Sequence, residues 1–273
     1  MRAPVSSLEL LEPRSLEEAL WMLRRNPGIV PVAGCTDVLV GLNFGLVKEK
    51  KFLNLWGLHE LRTIEMKDKK TLSIGALATF TQIARSPLVA KRLPILVDAA
   101  RTVGGAQIQN RGTIGGNIAN ASPAGDSLPC LAVAEATVAL QSADGPRRVA
   151  FTEFYTGYKK TQRRADELIV AVEIPPVSGR QCFRKVGTRA AQAISKVVMA
   201  AIVGPAPRIA IGSVAPTVVR LPRTESVLAA GGTVEDARRV MLDEIRPIDD
   251  IRSTAAYRKR VAANLLERFW RSE

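Results

Sequence analysis

The sequence contains few of the residues that build metal centres. Among its 273 residues there are one histidine, His59, and three cysteines, Cys35, Cys130 and Cys182. A single histidine excludes metal cages built from several histidines. The cysteines are odd in number, widely spaced and form no CxxC pair, so they favour a reducing compartment, the cytoplasm, over a disulfide framework. We therefore expect no metal site, and we expect any enzymatic chemistry to come from a bound cofactor.

Long apolar runs are also missing. Glu135 interrupts the longest alanine- and valine-rich stretch, so no segment reaches the roughly 18 residues that suggest a membrane span. The N-terminal segment MRAPVSSLELLEPRS carries polar and acidic residues where a secretory signal would need an apolar stretch. The composition is that of a globular protein, with 47% apolar residues. The sequence therefore predicts a soluble protein without a membrane span.

Aromatic residues make up only 5% of the chain, whereas its formal net charge is +13. The basic residues form short clusters, not one stripe interleaved with aromatics, at Lys48–Lys51, Lys67–Lys70, Arg147–Arg148, Lys159–Arg164 and Arg258–Arg260. This pattern argues against a stacking platform for nucleic acid. The charge indicates either a solvated basic face or a match to anionic partner subunits or an anionic cofactor.

The N-terminal part of the chain predicts a small β-α-β unit. Ser15 and Glu18 have the spacing of a helix capping box, and Asn26-Pro27-Gly28 ends the helix that follows. A buried strand over residues 29–33, a short helical segment and a second strand over residues 52–55 complete the unit.

The middle of the chain predicts an antiparallel sheet with helices. Apolar and polar residues alternate over residues 61–66 and 71–74, which predicts a hairpin. Residues 79–103 have helical periodicity, which Pro87 and Pro94 interrupt. Further strands are expected over residues 137–141, 147–151 and 168–174, with Asp144-Gly145 as a turn. Residues 104–126 are rich in glycine and asparagine and have almost no period, which predicts a long ordered loop, and such loops are usually functional.

A domain boundary is predicted at Pro175-Pro176, which Ser178-Gly179 follows. Beyond it, strands over residues 182–186, 197–203 and 209–214 predict a three-stranded meander. Helices are expected over residues 224–230, 234–244 and 254–270, the last two after Thr233 and Ser253. Strands followed by helices indicate a separate α+β domain.

Two glycine-containing segments have the chemistry of anion-binding loops. Residues 31–37 place small side chains and a hydroxyl directly after a buried strand, which exposes consecutive backbone N–H groups. Residues 110–119 repeat this chemistry around Gly115-Gly116, with Thr113 and Asn117 as hydrogen-bonding side chains. Neither segment is a GxGxxG fingerprint or a phosphate loop. Each alone is compatible with an ordinary glycine turn, but together they suggest a dinucleotide.

Asp126 follows the second of these segments and leaves two interpretations open. Its carboxylate is placed either to cap a helix over residues 127–134 or to bind a ribose.

Several motifs together resemble the FAD-binding medium subunit of molybdenum hydroxylases, the group that includes the xanthine dehydrogenase and carbon monoxide dehydrogenase families. The most specific is NRGTIGGNIANASPAGD at 110–126. The others are AGCTD at 33–37, IGALAT at 74–79, GYKKT at 157–161, ELIVAVEIP at 167–175, FRKVG at 183–187 and IAIGSVAPTVVR at 209–220. The resemblance covers nearly the whole chain.

The resemblance implies an α+β fold with a vanillyl-alcohol-oxidase-type FAD-binding domain of two subdomains. These subdomains are expected at about residues 1–58 and 59–176. The C-terminal flavoprotein domain, a three-stranded antiparallel sheet with helices, is expected at residues 177–273.

The resemblance also implies which residues contact FAD, with the two glycine-containing segments holding its pyrophosphate. Asp126 is expected to bind toward the ribose of the adenosine, Gly104 and Val103 to lie near the flavin ring, and Tyr158 to stand on the acceptor side. The implied cofactor contacts are Val32, Ala33, Gly34, Cys35, Thr36, Asp37, Val38, Gly104, Thr113, Gly116, Asn117, Ala119, Asp126, Ile169 and Lys185. No side chain of this chain is expected to be catalytic.

The chain departs from the family pattern at two of these places. Cys35 stands where glycine is commonest, and Ala193 replaces the acidic residue of the FxKVGxRxAxDIA pattern. Cys35 is either a reactive thiol or a small buried residue. Lys185 is either a cation that stabilises reduced, anionic flavin or a solvated lysine on a strand.

The implied function is that of an FAD-carrying electron-transfer subunit in a heterotrimeric molybdenum hydroxylase. Electrons would pass from a molybdopterin centre in a large subunit, through iron-sulfur clusters in a small subunit, to FAD and then to NAD or another acceptor. Three scattered cysteines do not supply the four ligands of a cluster, so the clusters are expected on the partner. The family's typical dimer of heterotrimers is the expected assembly.

Two other functions stay open at this point. One is a free-standing flavin oxidoreductase of the same fold, against which the missing large substrate domain argues. The other is a basic scaffold or nucleic-acid protein without cofactor, against which the intact TIGGN segment argues.

Overall fold

The computed structural model describes residues 7–271, and its N-terminal part is a small parallel sheet. The elements in chain order are β1 (Glu9–Leu11), α1 (Leu16–Arg25), β2 (Val30–Val32), α2 (Val38–Asn43) and β3 (Lys51–Asn54). Strand β3 lies in the middle and pairs in parallel with β1 and β2. The predicted β-α-β unit is confirmed.

Helix α1 begins with only half of the predicted capping box. The Ser15 hydroxyl accepts a hydrogen bond from the backbone N–H of Glu18 at 3.1 Å. The Glu18 carboxylate does not return this bond to Ser15, because it accepts from the backbone N–H of Arg14 at 2.7 Å instead. The expectation of a reciprocal box is therefore wrong, although the cap residue is correct.

The second sheet is antiparallel and has five strands in the order β4-β5-β10-β6-β7. Its strands, and a separate two-stranded ribbon of β8 and β9, are β4 (Ile64–Lys67), β5 (Thr71–Gly75), β6 (Thr137–Ser142), β7 (Gly145–Ala150), β8 (Tyr155–Gly157), β9 (Lys160–Thr161) and β10 (Leu168–Ile174). Both predicted hairpins are confirmed. The first begins later than expected, because residues 59–62 form a turn of 3-10 helix.

Short helices cover this sheet. They are α3 (Phe80–Arg85), α4 (Pro87–Arg92), α5 (Pro94–Thr102), α6 (Ala106–Arg111), α7 (Ile114–Asn120), α8 (Leu128–Val133) and α9 (Phe151–Phe154). As predicted, Pro87 and Pro94 divide the helical stretch, and each stands in the first turn of a new helix.

The prediction of an irregular loop over residues 104–126 is wrong in part, because α6 and α7 lie within it. Thr113 caps α7 by accepting a hydrogen bond from the N–H of Gly116 at 3.1 Å. Ile114 and Ile118, four residues apart, are both fully buried and supply the apolar face of this helix. The high glycine and asparagine content hides that short period from a sequence reading.

The C-terminal sheet has four strands, not the predicted three. Its strands are β11 (Arg180–Val186), β12 (Val197–Val203), β13 (Arg208–Gly212) and β14 (Val219–Arg220). Three helices follow the sheet in the chain: α10 (Pro222–Ala229), α11 (Val234–Glu244) and α12 (Ala255–Arg271). The additional strand, β14, has two residues and is too short to carry a pattern. Thr233 caps α11 as predicted, whereas α12 is capped by Thr254 and not by Ser253.

Strand β12 joins two hydrophobic cores because successive side chains of a strand point to opposite faces. Ala200 and Ile202 pack into the core that α5 and α8 share with the five-stranded sheet. Val197, Met199 and Ala201 pack into the core formed with α11 and α12. The C-terminal sheet is thus buried on both faces, which holds it firmly against the preceding residues. The predicted α+β fold class is confirmed.

Glu167, directly before β10, is a buried carboxylate at the centre of a charge cluster. Its side chain is 1% exposed, and Arg147 donates to its two carboxylate oxygens at 2.8 Å each. The backbone N–H of Arg164 adds a third bond at 2.7 Å. Burial alone would raise the pKa of Glu167, but these donors lower the pKa to about 2.

This cluster predicts a loss of stability in acid. Because the pKa of Glu167 falls from 4.5 to about 2 on folding, its contribution is present above pH 4.5 and lost as the pH falls toward 2. We expect Glu167→Gln to lower the free energy of unfolding at neutral pH by about 2 kcal/mol and to flatten its pH dependence in this window. Urea unfolding at several pH values measures both effects. Exposed Glu153→Gln is the control, and an unchanged pH slope in Glu167→Gln would refute the assignment.

Candidate functional site

A cavity of about 1130 Å³ opens between the parallel sheet, the helices of the middle region and the C-terminal sheet. Pockets for ordinary small ligands occupy about 300–1,000 Å³, so this one suits an extended ligand. Its walls come from distant parts of the sequence, including residues 30–38, 167–169 and 192–195 and parts of residues 103–126 and 246–252.

The segment between β2 and α2 forms one wall and depends on a close backbone approach. A Cβ on Gly34 would lie 1.7 Å from the carbonyl oxygen of Arg111, so only glycine fits there. The next residue, Cys35, has a φ of 60°, in the left-handed region that favours glycine. Small residues therefore keep this turn open on its cavity side.

The second glycine-containing segment is fixed to the residues that link β5 to α3. The N–H groups of Ile114 and Gly115 bond to the carbonyls of Ala78 and Ala76 at 3.0 and 2.8 Å. Gly116 stays exposed at the cavity wall, where an added Cβ would meet Thr113 Oγ1 at 2.9 Å. The Asn117 side-chain oxygen accepts from Ser127 at 2.7 Å, which fixes its orientation.

The two segments lie side by side. Besides the contact of Gly34 with Arg111, the Asn120 amide donates to Asp37 at 3.1 Å. Behind them, the Arg62 and Arg111 guanidinium groups lie 4.0 and 3.7 Å from the centroid of the Trp56 ring. This stack ties the end of α6 to the residues after β3.

The structure brings nearly all of the predicted site residues together. The exception is Lys185, which stands behind the wall. The predicted residues that line the cavity are Val32, Ala33, Gly34, Cys35, Thr36, Asp37, Val38, Val103, Gly104, Thr113, Gly116, Asn117, Ala119, Asp126, Tyr158 and Ile169. Their convergence on one cavity comes from the fold, since the sequence separates them by up to 137 positions, from Val32 to Ile169.

Asp126 connects the two halves of the cavity through buried bonds. Lys185 Nζ lies 2.6 Å from Asp126 Oδ2 and also donates to the Thr102 carbonyl at 2.9 Å. The Ser195 hydroxyl donates to Asp126 Oδ1, and Thr102 Oγ1 lies 3.4 Å from Oδ2. Asp126 and Thr102 precede the predicted domain boundary, and Lys185 and Ser195 follow it.

These contacts exclude one interpretation of Asp126 and one interpretation of Lys185. The interpretation of Asp126 as a simple helix cap is wrong, because Ser127 is the N-cap of α8 and Asp126 bonds to side chains. The interpretation of Lys185 as a solvated lysine is also wrong, since its side chain is 10% exposed. Burial raises the pKa of Asp126, and the neighbouring Lys185 ammonium opposes that rise.

The environment of Cys35 favours the small buried residue over the reactive thiol. Its side chain is half-buried, and desolvation raises the pKa of the thiol, with Arg111 opposing the rise. A reactive cysteine needs a lowered pKa. We conclude that Cys35 serves the shape of the turn.

Sequence reasoning missed Ser195 and Arg258. Arg258 is 3% exposed and donates to the carbonyls of Lys196 and Ser213 at 2.7 and 2.9 Å, while its second terminal nitrogen bonds Asp250 at 2.7 Å. It holds the cavity wall from the C-terminal side. The only signal was a cluster of three basic residues, which does not separate a buried arginine from solvated ones.

Tyr158 and Ala193 complete the rim. Tyr158 follows β8 and is 61% exposed at the mouth of the cavity. Ala193 lines the wall next to Gln192, whose side chain lies against Gly105. Within residues 7–271 there is no group of three or more potential metal ligands, and none of the helices there is long and apolar enough to span a membrane.

The buried pair predicts a strong energetic coupling. Lys185→Met would leave the Asp126 carboxylate buried without its cation, so we expect it to lower the free energy of unfolding by about 3 kcal/mol. In Asp126→Asn/Lys185→Met the loss should be smaller than the sum of the single losses by at least about 1 kcal/mol. Urea unfolding of the four proteins measures the coupling. Exposed Lys91→Met is the control, and additive losses would contradict the pair.

Two family models of flavoprotein domains together match nearly the whole chain. Residues 6–177 match the family model described as the FAD binding domain in molybdopterin dehydrogenase, and residues 182–272 match the CO dehydrogenase flavoprotein C-terminal domain. The putative xanthine dehydrogenase FAD-binding subunit of Escherichia coli (strain K12) is 31% identical over 258 residues, which is 89% of this chain and 88% of that protein. The nicotinate dehydrogenase FAD-subunit of Eubacterium barkeri is 34% identical over 200 residues, 71% of this chain and 67% of that protein.

Solved structures agree with these matches. Carbon monoxide dehydrogenase from Hydrogenophaga pseudoflava, lacking the Mo-pyranopterin moiety, superposes with a TM-score of 0.91 at 27% identity, covering 98% of this chain and 96% of that chain. Quinoline 2-oxidoreductase from Pseudomonas putida 86 superposes with a TM-score of 0.91 at 28% identity, again covering 98% of this chain and 96% of that chain.

Proposed function

Because this chain belongs to the family of FAD-binding subunits of molybdopterin dehydrogenases, which are oxidoreductases, we propose that it is the FAD-carrying electron-transfer subunit of a heterotrimeric molybdenum hydroxylase. In this assembly a large subunit holds molybdopterin and a small subunit holds iron-sulfur clusters. Electrons enter from the clusters and leave to NAD or another acceptor.

The observation that carries the proposal is the meeting of two glycine-containing segments at one large cavity. Gly34 and Arg111 are in backbone contact that no side chain could allow, and Gly116 faces the same space. Such surfaces admit a pyrophosphate close to the backbone. The cavity volume of about 1130 Å³ fits a ligand of the length of FAD.

The proposal assigns tasks to the predicted residues that line the cavity. The backbone of residues 32–38 and 113–119 holds the pyrophosphate, Ile169 packs against the cofactor, and Gly104 leaves space for the flavin ring. Asp126 accepts bonds from Lys185 and Ser195, while the single proton of the Thr102 hydroxyl goes to the Ala99 carbonyl at 2.8 Å. An ionised carboxylate has about four acceptor positions, so acceptor positions are left for a cofactor hydroxyl. When bound, FAD supplies the ability to take up electrons singly and release them singly or as a hydride.

Partners are required because this chain offers no metal site of its own in residues 7–271. The three cysteines are free, and an iron-sulfur cluster needs four ligands. Similar proteins are named as medium chains or medium subunits, as in carbon monoxide dehydrogenase of Hydrogenophaga pseudoflava and nicotine 6-hydroxylase of Paenarthrobacter nicotinovorans. These names support a place in a multi-subunit complex, and we propose a dimer of heterotrimers.

Two further parts of the proposal concern location and division of the chain. The free cysteines support the cytoplasm as its compartment.

The boundary between an FAD-binding part of residues 1–176 and a C-terminal part of residues 177–273 is supported by the change from one sheet to the next between β10 and β11.

We propose NAD as the acceptor, and Tyr158 supports it. This side chain is exposed at the mouth of the cavity, where an aromatic ring can contact an incoming nicotinamide.

The purified chain tests the proposal in two steps. We expect flavin absorbance in the chain expressed alone, release of FAD on denaturation, and added iron-sulfur absorbance when it is purified with its partner subunits. We expect anaerobic NADH to bleach the flavin absorbance, and Tyr158→Ala to slow this about tenfold. Tyr257 is half-buried and does not line the cavity, so Tyr257→Ala is the control.

The outcomes separate the candidate functions. A colourless chain that takes up no FAD would refute the flavoprotein assignment. Flavin without any association with partners would favour a free-standing oxidoreductase. Flavin that NADH does not bleach would remove NAD as the acceptor and leave the subunit role intact.

A further inference from the structure

Helix α2 and the turn after it present an unusual apolar surface. None of its six residues is buried. Leu39, Val40, Phe44 and Leu46, which we call the α2 patch, are 55%, 52%, 75% and 76% exposed. Single exposed apolar residues are common, but four large ones within eight consecutive positions mark an interaction site.

The α2 patch is held in shape by its own backbone. The N–H groups of Phe44 and Leu46 bond to the carbonyls of Val40 and Gly41 at 3.1 and 2.9 Å. Gly45 has a φ of 69°, in the left-handed region. The Val47 side chain packs against Gly41, where an added Cβ would lie 2.7 Å from Val47 Cγ2. A preformed patch loses little conformational freedom on binding, which favours a stable contact.

The patch begins at the edge of the cavity. Asp37 and Val38, at the start of α2, line the cavity wall, so a protein bound on the next turn of the helix lies next to the cofactor site. No cluster of metal-ligating residues connects this cavity to the surface within residues 7–271. An electron donor must therefore approach the cavity mouth itself.

The charges beside the patch limit what can cover it. Lys48 and Lys50 follow Leu46 and are exposed, and Glu49 between them leaves the segment net positive. A second copy of this chain seated by two-fold symmetry would bring identical lysines together, and like charges across an interface cost several kcal/mol. A partner with an apolar surface and an acidic rim would match both the apolar α2 patch and the lysines beside it.

We propose that the α2 patch is the docking surface for the iron-sulfur partner subunit, through an apolar surface of that partner rimmed by carboxylates. This inference rests on the proposed function, because it takes the electron donor to be a separate protein. Phe44 and Leu46 are the central anchors, and Lys48 and Lys50 supply the attraction at the rim.

The test uses the full chain purified with its partner subunits. We expect Phe44→Asp to raise the Kd for the partner at least tenfold while FAD content and thermal stability of the isolated chain stay as in the wild type. Lys48→Glu/Lys50→Glu should weaken binding about tenfold at low salt and much less at high salt. Leu10→Asp is the matched control, since Leu10 is 52% exposed on β1 and does not line the cavity, and we expect this variant to bind the partner normally.

Three results would overturn the inference. The first is normal partner binding by Phe44→Asp with full FAD content. The second is a dimer of the isolated chain that Phe44→Asp abolishes, which would assign the patch to a second copy. The third is binding of the isolated chain to vesicles of phosphatidylcholine and phosphatidylglycerol that Phe44→Asp abolishes while the partner still binds. A wild-type chain without flavin contradicts the proposed function instead, and is recognised before any variant is made.

Discussion

The buried pair of Asp126 and Lys185 is the interaction on which the cavity depends. The two charged atoms lie 2.6 Å apart, in side chains about one-tenth exposed, and they come from opposite sides of the link between the five-stranded and C-terminal sheets. Removing either would leave a largely buried charge without its partner, which is more costly than losing a surface pair. Ser195 and Thr102 complete the network, so the same contacts that join the two parts of the chain also shape the cavity wall.

Packing supplies the rigidity that this pair needs. Strand β12 sends alternate side chains into two cores, so the C-terminal sheet is clamped between α5 and α8 on one side and α11 and α12 on the other. Against this framework the contact between Gly34 and Arg111 brings the two glycine-containing segments together. The cavity is thus a consequence of three separate constraints: a buried charge pair, a strand buried on both faces and a backbone contact that only glycine permits.

Much of the architecture follows from local patterns, and the exceptions have physical causes. The strands with clear alternation, the Pro87 and Pro94 helix starts and the Thr233 cap could be predicted, because each depends on neighbouring residues. Helix α7 and strand β14 could not, since one hides its period among glycines and the other has two residues. The two glycine-containing segments pointed to part of the cavity wall, and Val103, Tyr158 and Ile169 were expected there from the family resemblance. The role of Ser195 was invisible because its partner, Asp126, is 69 positions away.

The most direct test of the account is the affinity of the flavin-free chain for FAD, measured by titration for the wild type, Gly34→Ala and Gly57→Ala. A Cβ at Gly34 would collide with the Arg111 carbonyl, whereas one at Gly57 meets nothing within 4 Å. We expect the Gly34→Ala chain to stay folded by circular dichroism and to bind FAD about a hundredfold more weakly, a loss of about 2.7 kcal/mol, with Gly57→Ala like the wild type. Equal affinity in all three proteins would contradict the claim that the meeting of the two glycine-containing segments forms the cofactor site.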